Sequence, residues 1–311
     1  MTAKRILVIK HGALGDMIQG LDAFHSLRRG HPDAHIALMT APAFAGFAGL
    51  MPWFDEILVD PRASILNVAA TWRIRSLLQQ NWDMIIDQQC SRRTNHYHTA
   101  FTNADTVWFG TAKGASNPYP DFSGVNNHER MLIAAKMAGG LEGTLEDNPM
   151  NWLDNDQVQI PDEMPNRAVV LVPGCSPAKP QKRWHHKRFA ELATKLAEDG
   201  RKIVVIGTQA ERETVDRLIS LAPFCIDLVG KTNLAELAAT FRRAELVVGN
   251  DTGPVFLAAR AGAPTIMVMG EDTNPSMSAP TGVCCGWVQK PKIDDVLPTD
   301  VLTAFFTLIA K

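Results

Sequence analysis

The stretch Leu246-Val247-Val248-Gly249-Asn250-Asp251-Thr252-Gly253-Pro254 decides the fold class of this chain. An apolar run ends in a Gly/Asn/Asp turn, and a helix of small residues begins at once across 255–261. A buried strand that passes through such a turn into a helix is typical of α/β proteins, which hold ligands where the strand ends. The free N–H groups of the helix favour phosphate oxygens, and Gly253 allows a ligand close to the backbone. Equally, Asp251 and Thr252 are good helix caps, so an ordinary cap explains the same residues.

Short apolar runs and amphipathic helices alternate on both sides of this stretch, as βαβ units do. In the second half, the pattern predicts strands at 168–172, 202–207, 226–229, 246–249 and 265–269, with helices at 187–199, 210–221, 234–243 and 255–261. In the first half, it predicts strands at 5–10, 35–40, 56–60, 84–87 and 106–109, with helices at 17–30, 65–80 and 129–138 and a long loop at 110–127.

The fold class predicted by this order is α/β, with two Rossmann-like doubly wound domains facing each other across a cleft. We place the first domain at 1–165 and the second at 166–295, because the polar, proline-bearing stretch 142–166 lacks periodicity. An amphipathic helix within 296–311 is expected to pack back toward the first domain. The cleft is the expected site.

Composition excludes several classes of protein. The formal net charge of −2 argues against a general nucleic-acid binder, which needs a strong basic excess. The five cysteines are odd in number, scattered and without a CxxC pair, so we expect neither a disulfide framework nor a zinc site, and a reducing cytosol fits best. No stretch approaches the length of a membrane span. We do not interpret any of three further polar groups as a metal site: His96-Tyr97-His98, Asp154-Asn155-Asp156 and His185-His186. The second of them is interpreted as a turn.

Two loops carry the strongest chemical candidates. The first strand is followed by Lys10-His11-Gly12-Ala13-Leu14-Gly15-Asp16, which lacks the glycine spacing of a dinucleotide fingerprint. Asp16 is either an ordinary N-cap or a carboxylate poised to take a proton from a hydroxyl. The loop Pro173 to Trp184 combines small residues with Lys179, Lys182 and Arg183, which could neutralise a diphosphate or simply be solvated.

Two weaker candidates complete the set. Glu211 or Glu213, after another strand, could bond ribose hydroxyls, although acidic residues are favoured in any first helical turn. A cationic set in the first half could bind an anionic acceptor or lie on exposed helix faces: Arg62, Arg73, Arg75, Arg92 and Arg93.

Three motifs together carry a family resemblance: Gly12-Ala13-Leu14-Gly15-Asp16, Lys182-Arg183-Trp184, and Asn250-Asp251-Thr252-Gly253-Pro254 with Leu257-Ala258-Ala259. With them the chain resembles the bacterial ADP-heptose:lipopolysaccharide heptosyltransferases, glycosyltransferase family nine. The resemblance implies a GT-B fold, with the nucleotide-sugar in the second domain and the acceptor in the first. It implies Asp16 as general base and Lys182 as a donor-phosphate contact. By the same resemblance the donor-binding residues are Ser176, Glu211, Asp251, Thr252 and Gly253.

The resemblance also implies the substrates and the setting. The donor is ADP-heptose, the acceptor is an anionic glycolipid of the Kdo–lipid A type, and transfer inverts the anomeric carbon without a metal or other cofactor. We assign acceptor binding to Arg62, Arg92 and Arg93. The expected location is the cytoplasm, with peripheral contact at the cytoplasmic face of the inner membrane.

Two departures from the family pattern keep alternatives open. Phe256 stands where the family usually has histidine, and Gly270-Glu271-Asp272-Thr273-Asn274-Pro275 replaces a usual Gly-Pro-Thr-Asp-Pro. The alternatives are a family member with another nucleotide-sugar or a non-lipopolysaccharide acceptor, a catalytically silent nucleotide-sugar-binding protein, and, more distantly, a nucleotide-sugar epimerase.

Overall fold

The computed structural model describes residues 3–64, 66–143, 150–153, 158–176 and 179–310 of the 311-residue chain. Contacts divide the chain into two compact units, Met1–Asn148 and Pro149–Lys311. The three-part division at 165 and 295 stays a prediction. The triplet Asp154-Asn155-Asp156, interpreted above as a turn, lies outside the described residues.

The first unit is a parallel six-stranded sheet flanked by helices. Its strands are β1 (Arg5–Ile9), β2 (His35–Thr40), β3 (Glu56–Val59), β4 (Met84–Asp87), β5 (Val107–Gly110) and β6 (Asn117–Pro118). Its helices are α1 (Leu14–Gln19), α2 (Leu21–Gly30), α3 (Pro42–Ala48), α4 (Val68–Leu78), α5 (Arg92–Phe101) and α6 (Asn127–Met137). The strand order is β3-β2-β1-β4-β5-β6, so the direction of winding reverses between β1 and β4. The loops that follow these two strands therefore flank a topological switch point, where ligands of such sheets bind.

The second unit repeats this plan. Its strands are β7 (Val169–Val172), β8 (Ile203–Val205), β9 (Ile226–Asp227), β10 (Leu246–Asn250), β11 (Thr265–Met269) and β12 (Cys285–Gln289). Its helices are α7 (His186–Glu198), α8 (Arg212–Leu221), α9 (Leu234–Arg242), α10 (Gly253–Arg260), α11 (Pro275–Ser278) and α12 (Pro298–Ile309). The order β12-β11-β10-β7-β8-β9 places the switch point between β7 and β10. The valines and leucines of β7 and β10 are buried on both faces of the sheet, which is why these two strands are continuously apolar in sequence.

The C-terminal helix α12 belongs to the core of the second unit. It packs against α7, β11 and β12, and its Val301 and Phe305 are buried among residues from these elements. Contact with the first unit stays a prediction. None of the helices in the described part of the chain has the length and apolar character needed to cross a membrane.

The predicted α/β class is confirmed, and the predicted strands are observed with small shifts at their ends. One prediction is wrong: the single helix across 17–30 is two helices, α1 and α2, which meet at Gly20. Five elements were not predicted, namely α3, α5, α11, β6 and β12, and β6 lies within the stretch 110–127 that was predicted as a loop. In α5 only Thr94 and Tyr97 are buried, so the helix has no apolar periodicity to read.

Candidate active site

Asn250 ties together the two loops at the switch point of the second unit. Its fully buried amide donates from Nδ2 to the carbonyl oxygens of Pro173 at 3.0 Å and Gly174 at 3.1 Å. Its Oδ1 accepts the backbone N–H of Trp184 at 2.9 Å. A buried amide with all these partners satisfied fixes the loop after β7 against the end of β10. The sequence placed Asn250 in the ligand edge but gave no sign of this structural task.

Lys182 and Asp251, two predicted site residues, form an ion pair at this edge. The Lys182 ammonium donates to Asp251 Oδ2, and the Thr273 hydroxyl donates to the same oxygen at 3.1 Å. The Lys182 side chain is only 13% exposed and that of Asp251 only 9%. The two opposite charges balance each other, and the pair holds the Lys182 ammonium in a fixed position at the edge that leads into α10.

The start of α10 corrects the capping interpretation of Asp251 and Thr252. Thr252 occupies the N-cap position in an extended conformation, but its side chain makes no capping hydrogen bond. The Asp251 carboxylate is held by Lys182 and Thr273 and therefore does not cap the helix. Pro254 has no N–H, and the Val255 N–H donates to the carbonyl oxygen of Thr252 at 3.0 Å. The Gly253 N–H is therefore the group of this first turn that can meet an anion.

Glu211 reaches the same edge from the turn after β8. Its Oε2 accepts the backbone N–H of Thr208 at 2.6 Å and the Thr208 hydroxyl at 2.5 Å. A Cβ atom placed on Gly174 would lie 2.7 Å from Glu211 Oε1, so the glycine makes room for this carboxylate. Ser176 lies exposed on the same loop, directly before 177–178, which are outside the described residues. The structure thus brings Glu211 to the loop after β7, whereas the donor-binding roles of Glu211 and Ser176 stay predictions.

Asp16 occupies the corresponding edge of the first unit. It lies in the first turn of α1, whose N-cap is Ala13, so the alternative that Asp16 is itself the N-cap is wrong. Asn127 Nδ2 donates to Asp16 Oδ1 at 3.1 Å and to Gln19 Oε1 at 2.7 Å. The side chain of Asp16 is 42% exposed, so its carboxylate is oriented and still accessible.

Lys10 is buried directly behind Asp16. Its Nζ donates to the carbonyl oxygen of Gln88 at 3.2 Å and lies 3.9 Å from Asp16 Oδ2. Burial lowers the pKa of Lys10, while the charge of Asp16 opposes that shift. Asp87, the last residue of β4, is also buried, and burial raises its pKa although two backbone N–H groups donate to it at 2.9 Å. The roles of Lys10 and Asp87 were not predicted from the sequence.

A second buried carboxylate, Asp60, anchors the loop after β3. The Tyr97 hydroxyl donates to Asp60 Oδ2 at 2.6 Å, the Arg62 N–H donates to Oδ1 at 2.7 Å, and His11 Nε2 lies 3.0 Å from Oδ2. Burial alone would raise the pKa of Asp60, but these partners outweigh it and lower the pKa to about 2. The sequence analysis considered Tyr97 only as part of His96-Tyr97-His98, which it rejected as a metal site. It did not identify Asp60 as a functional or structural residue.

The three arginines assigned to the acceptor all lie in loops or helix ends at this edge. Arg93 donates to the Tyr97 hydroxyl at 3.2 Å and to the carbonyl oxygens of Arg62 at 3.0 Å and Ala63 at 2.8 Å. It therefore holds the loop after β3 to α5. Arg62 and Arg92 are exposed. Acceptor binding by all three stays a prediction.

The Asp60 network predicts a specific loss of stability in acid. The folded-state pKa of about 2 lies below the ordinary value of 3.8, so the stabilisation is complete above about pH 4 and is lost as the pH falls toward 2. A shift of this size corresponds to about 2 kcal/mol. Between pH 6 and pH 2.5, urea unfolding of the wild type should lose more free energy than that of Asp60→Asn, by an amount approaching this value.

Asp33→Asn is the matched control, because Asp33 is an exposed carboxylate of the same unit and its variant should follow the wild type. Tyr97→Phe removes one donor to Asp60 and should reduce the acid loss without removing the carboxylate. Parallel pH profiles for the wild type, Asp60→Asn and Tyr97→Phe would contradict the assignment.

Comparisons with known proteins agree with this architecture. The model of glycosyltransferase family 9 (heptosyltransferase) matches residues 130–290, more than half of the chain. The lipopolysaccharide core heptosyltransferase OpsX of Haemophilus influenzae is 22% identical over 291 residues, covering 89% of this chain and 82% of the relative.

Solved structures show the same fold. The Escherichia coli heptosyltransferase WaaC with ADP has a TM-score of 0.81 at 19% identity, covering 97% of this chain and 99% of that one. The same enzyme with ADP-2-deoxy-2-fluoro heptose has a TM-score of 0.78, also at 19% identity and with the same coverage. Each unit has the Rossmann-like sheet expected for this fold. The chain therefore belongs to glycosyltransferase family 9, the heptosyltransferase family, has the GT-B fold and is a glycosyltransferase.

Proposed function

We propose that this glycosyltransferase transfers heptose from ADP-heptose to an inner-core acceptor of lipopolysaccharide, with inversion. The observation that carries the proposal is the Lys182–Asp251 pair beside the uncapped start of α10, at the switch point between β7 and β10. A cation and a helix N-terminus at such an edge suit a diphosphate. The name of OpsX, and the ADP and ADP-fluoroheptose bound to WaaC, favour an ADP-heptose donor.

The charges at the second-unit edge assign the donor roles. Lys182 and the N–H groups at Thr252 and Gly253 stabilise the diphosphate as the bond to the sugar breaks. Asp251 is negatively charged, as the phosphates are, so it is unsuited to contact them directly. It holds Lys182 in place and accepts hydrogen bonds from sugar hydroxyls. Glu211 accepts from ribose hydroxyls, and Ser176 contacts the phosphates.

Asp16 is the proposed general base. It takes the proton from the acceptor hydroxyl as the oxygen attacks the anomeric carbon, in a single displacement. Asn127 orients one carboxylate oxygen, and the buried ammonium of Lys10 lies near the other. The proposed reaction needs no metal or other cofactor, so excess EDTA should leave turnover unchanged.

The acceptor and the setting belong to the same proposal. An anionic Kdo–lipid A glycolipid would meet Arg62 and Arg92, which are exposed, with Arg93 bracing the loop between them. We place the enzyme in the cytoplasm, in peripheral contact with the inner membrane that carries this acceptor. Five free cysteines suit a reducing compartment.

The two departures from the family pattern are the basis of the alternative with another nucleotide-sugar. A cavity of about 560 Å³ lies beside the Thr273–Asp251 contact and is lined by Glu271, Asn274 and Gln289 among others. Glu271 belongs to the sequence that departs from the family pattern, and Phe256, the other departure, is 7% exposed within α10.

The deciding experiment measures ADP release from ADP-heptose with and without a Kdo-bearing lipid A acceptor. The wild type is expected to release ADP only when the acceptor is present, and to release little UDP or GDP from UDP- or GDP-sugars. If the enzyme turns over only one of those other sugars, that sugar is the donor in place of ADP-heptose. Donor turnover without any acceptor would favour an epimerase, and donor binding without turnover would favour a silent binding protein.

A further inference from the structure

The most exposed apolar side chains of the first unit lie together at the start of α4. Leu66 is 85% exposed, Val68 67% and Trp72 66%. Burying large side chains such as these stabilises a protein, so a cluster left in water marks a contact surface. We define the α4 face as these three residues together with Arg73 and Arg75.

Helix geometry places Val68, Trp72 and Arg75 on one side of α4, and Arg73 flanks that side, about 100° around the helix axis from Trp72. Val68 and Trp72 are four residues apart, and Trp72 and Arg75 are three apart. Ile74 and Leu78, on the opposite side, are buried in the core of the unit. The α4 face is therefore unused by the fold.

The aromatic and cationic groups of the face are already associated. The guanidinium carbon of Arg75 lies 5.9 Å from the centre of the Trp72 ring, and Arg73 flanks the pair. Arginine over tryptophan keeps its charge available to an outside anion while the ring offers an apolar edge. The sequence between 61 and 82 contains three arginines and no aspartate or glutamate.

We propose that the α4 face docks on the surface of an anionic phospholipid bilayer. Trp72, Leu66 and Val68 enter the interfacial region, while Arg73 and Arg75 meet lipid phosphates. This inference rests on the proposed function, because a lipid-borne acceptor has to be reached from the membrane surface. The face is continuous along the chain with the loop after β3, which carries Arg62 and is held by Arg93.

The charge pattern argues against a second copy of the chain as the occupant. A twofold contact through the α4 face would bring Arg73 and Arg75 toward the same arginines of the other copy, without acidic partners in this segment. The apolar part is also only three side chains wide, which suits shallow insertion into an interface better than a stable dimer.

The test is sedimentation of the full chain with vesicles, without donor or acceptor. The wild type should bind vesicles that contain phosphatidylglycerol mixed with phosphatidylcholine, and it should bind vesicles of pure phosphatidylcholine much more weakly. Trp72→Ala should weaken binding about tenfold, equivalent to about 1.4 kcal/mol. Leu66→Ala with Trp72→Ala should weaken it further, and rising salt should weaken the wild type.

Trp287→Ala is the matched control, since Trp287 is 47% exposed on β12 of the second unit and should leave vesicle binding unchanged. The inference is overturned if the wild type ignores anionic vesicles, or if Trp287→Ala and Trp72→Ala lose binding equally. It is also overturned if Trp72→Ala changes the oligomeric state instead of vesicle binding.

Failure of the inference and failure of the proposed function give different results. Vesicle binding through the α4 face, with no ADP release from ADP-heptose whichever acceptor is added, would retain the docking surface and reject the proposed reaction. Acceptor-dependent ADP release with no vesicle binding would retain the reaction and reject the docking surface.

Discussion

Asp16→Asn is expected to lower kcat for acceptor-dependent transfer by about 10²- to 10⁴-fold, the range that a positioned general base supplies. The amide has nearly the shape of the carboxylate, so the turn at the start of α1 is retained while the basic oxygen is lost. Binding of ADP should change little, because Asp16 belongs to the first unit and the proposed donor contacts belong to the second. Steady-state ADP release and calorimetric titration with ADP measure these two quantities.

Two further results would support the role of Asp16. Asp33→Asn, which changes an exposed carboxylate of the same unit, should keep wild-type kcat. The residual rate of Asp16→Asn should rise with pH, because a higher pH deprotonates the acceptor hydroxyl without a protein base. A kcat within threefold of the wild type would reject Asp16 as the base and leave it a residue that orients the loop.

The sequence predicts the sheets well because their strands are parallel and buried on both faces. Val247 and Val248 of β10 have no exposed side, so the run is continuously apolar and ends where the sheet ends. In β12 the half-exposed strand begins with Cys285 and Gly286 and has neither a long apolar run nor a clean alternation. Its pairing with β11, which the local sequence does not encode, supplies the missing information.

The candidate site also has a part that the sequence predicts and a part that it does not. The pairing of β7 with β10 brings the loops that carry Lys182 and Asp251 to one edge of the sheet, and the strand ends read from the sequence predict that much. Thr273 and Asn250 join them through the exact course of loops, which hydrophobic patterns do not report.

In the first unit, the partners of Asp16 and Asp60 come from distant parts of the chain. Asn127 contacts Asp16 across 111 residues, and Tyr97 contacts Asp60 across 37. Tyr97 belongs to α5, a helix without apolar periodicity, so neither the helix nor its bond to Asp60 could be read from the sequence.

Lys182→Met is expected to lower kcat by about 10²- to 10³-fold, since it removes a preorganised charge from the departing diphosphate. ADP should also bind at least about tenfold more weakly, a change that corresponds to ~1.4 kcal/mol. Methionine keeps the length of the side chain without its charge. Lys187→Met, at an exposed position in the first turn of α7, should leave both quantities near those of the wild type.

The single variant also leaves Asp251 largely buried without its cation, which destabilises the fold by itself. The double variant Lys182→Met/Asp251→Asn removes that unpaired charge and should recover much of the lost melting temperature. Because Asp251 is also a proposed contact of the sugar, the deciding ligand is ADP, which carries no heptose. If Lys182 acts on the diphosphate, the double variant regains stability while ADP binding stays weak. If ADP binding returns with stability, the lysine serves only to neutralise Asp251, and the N–H groups at Thr252 and Gly253 have to meet the diphosphate.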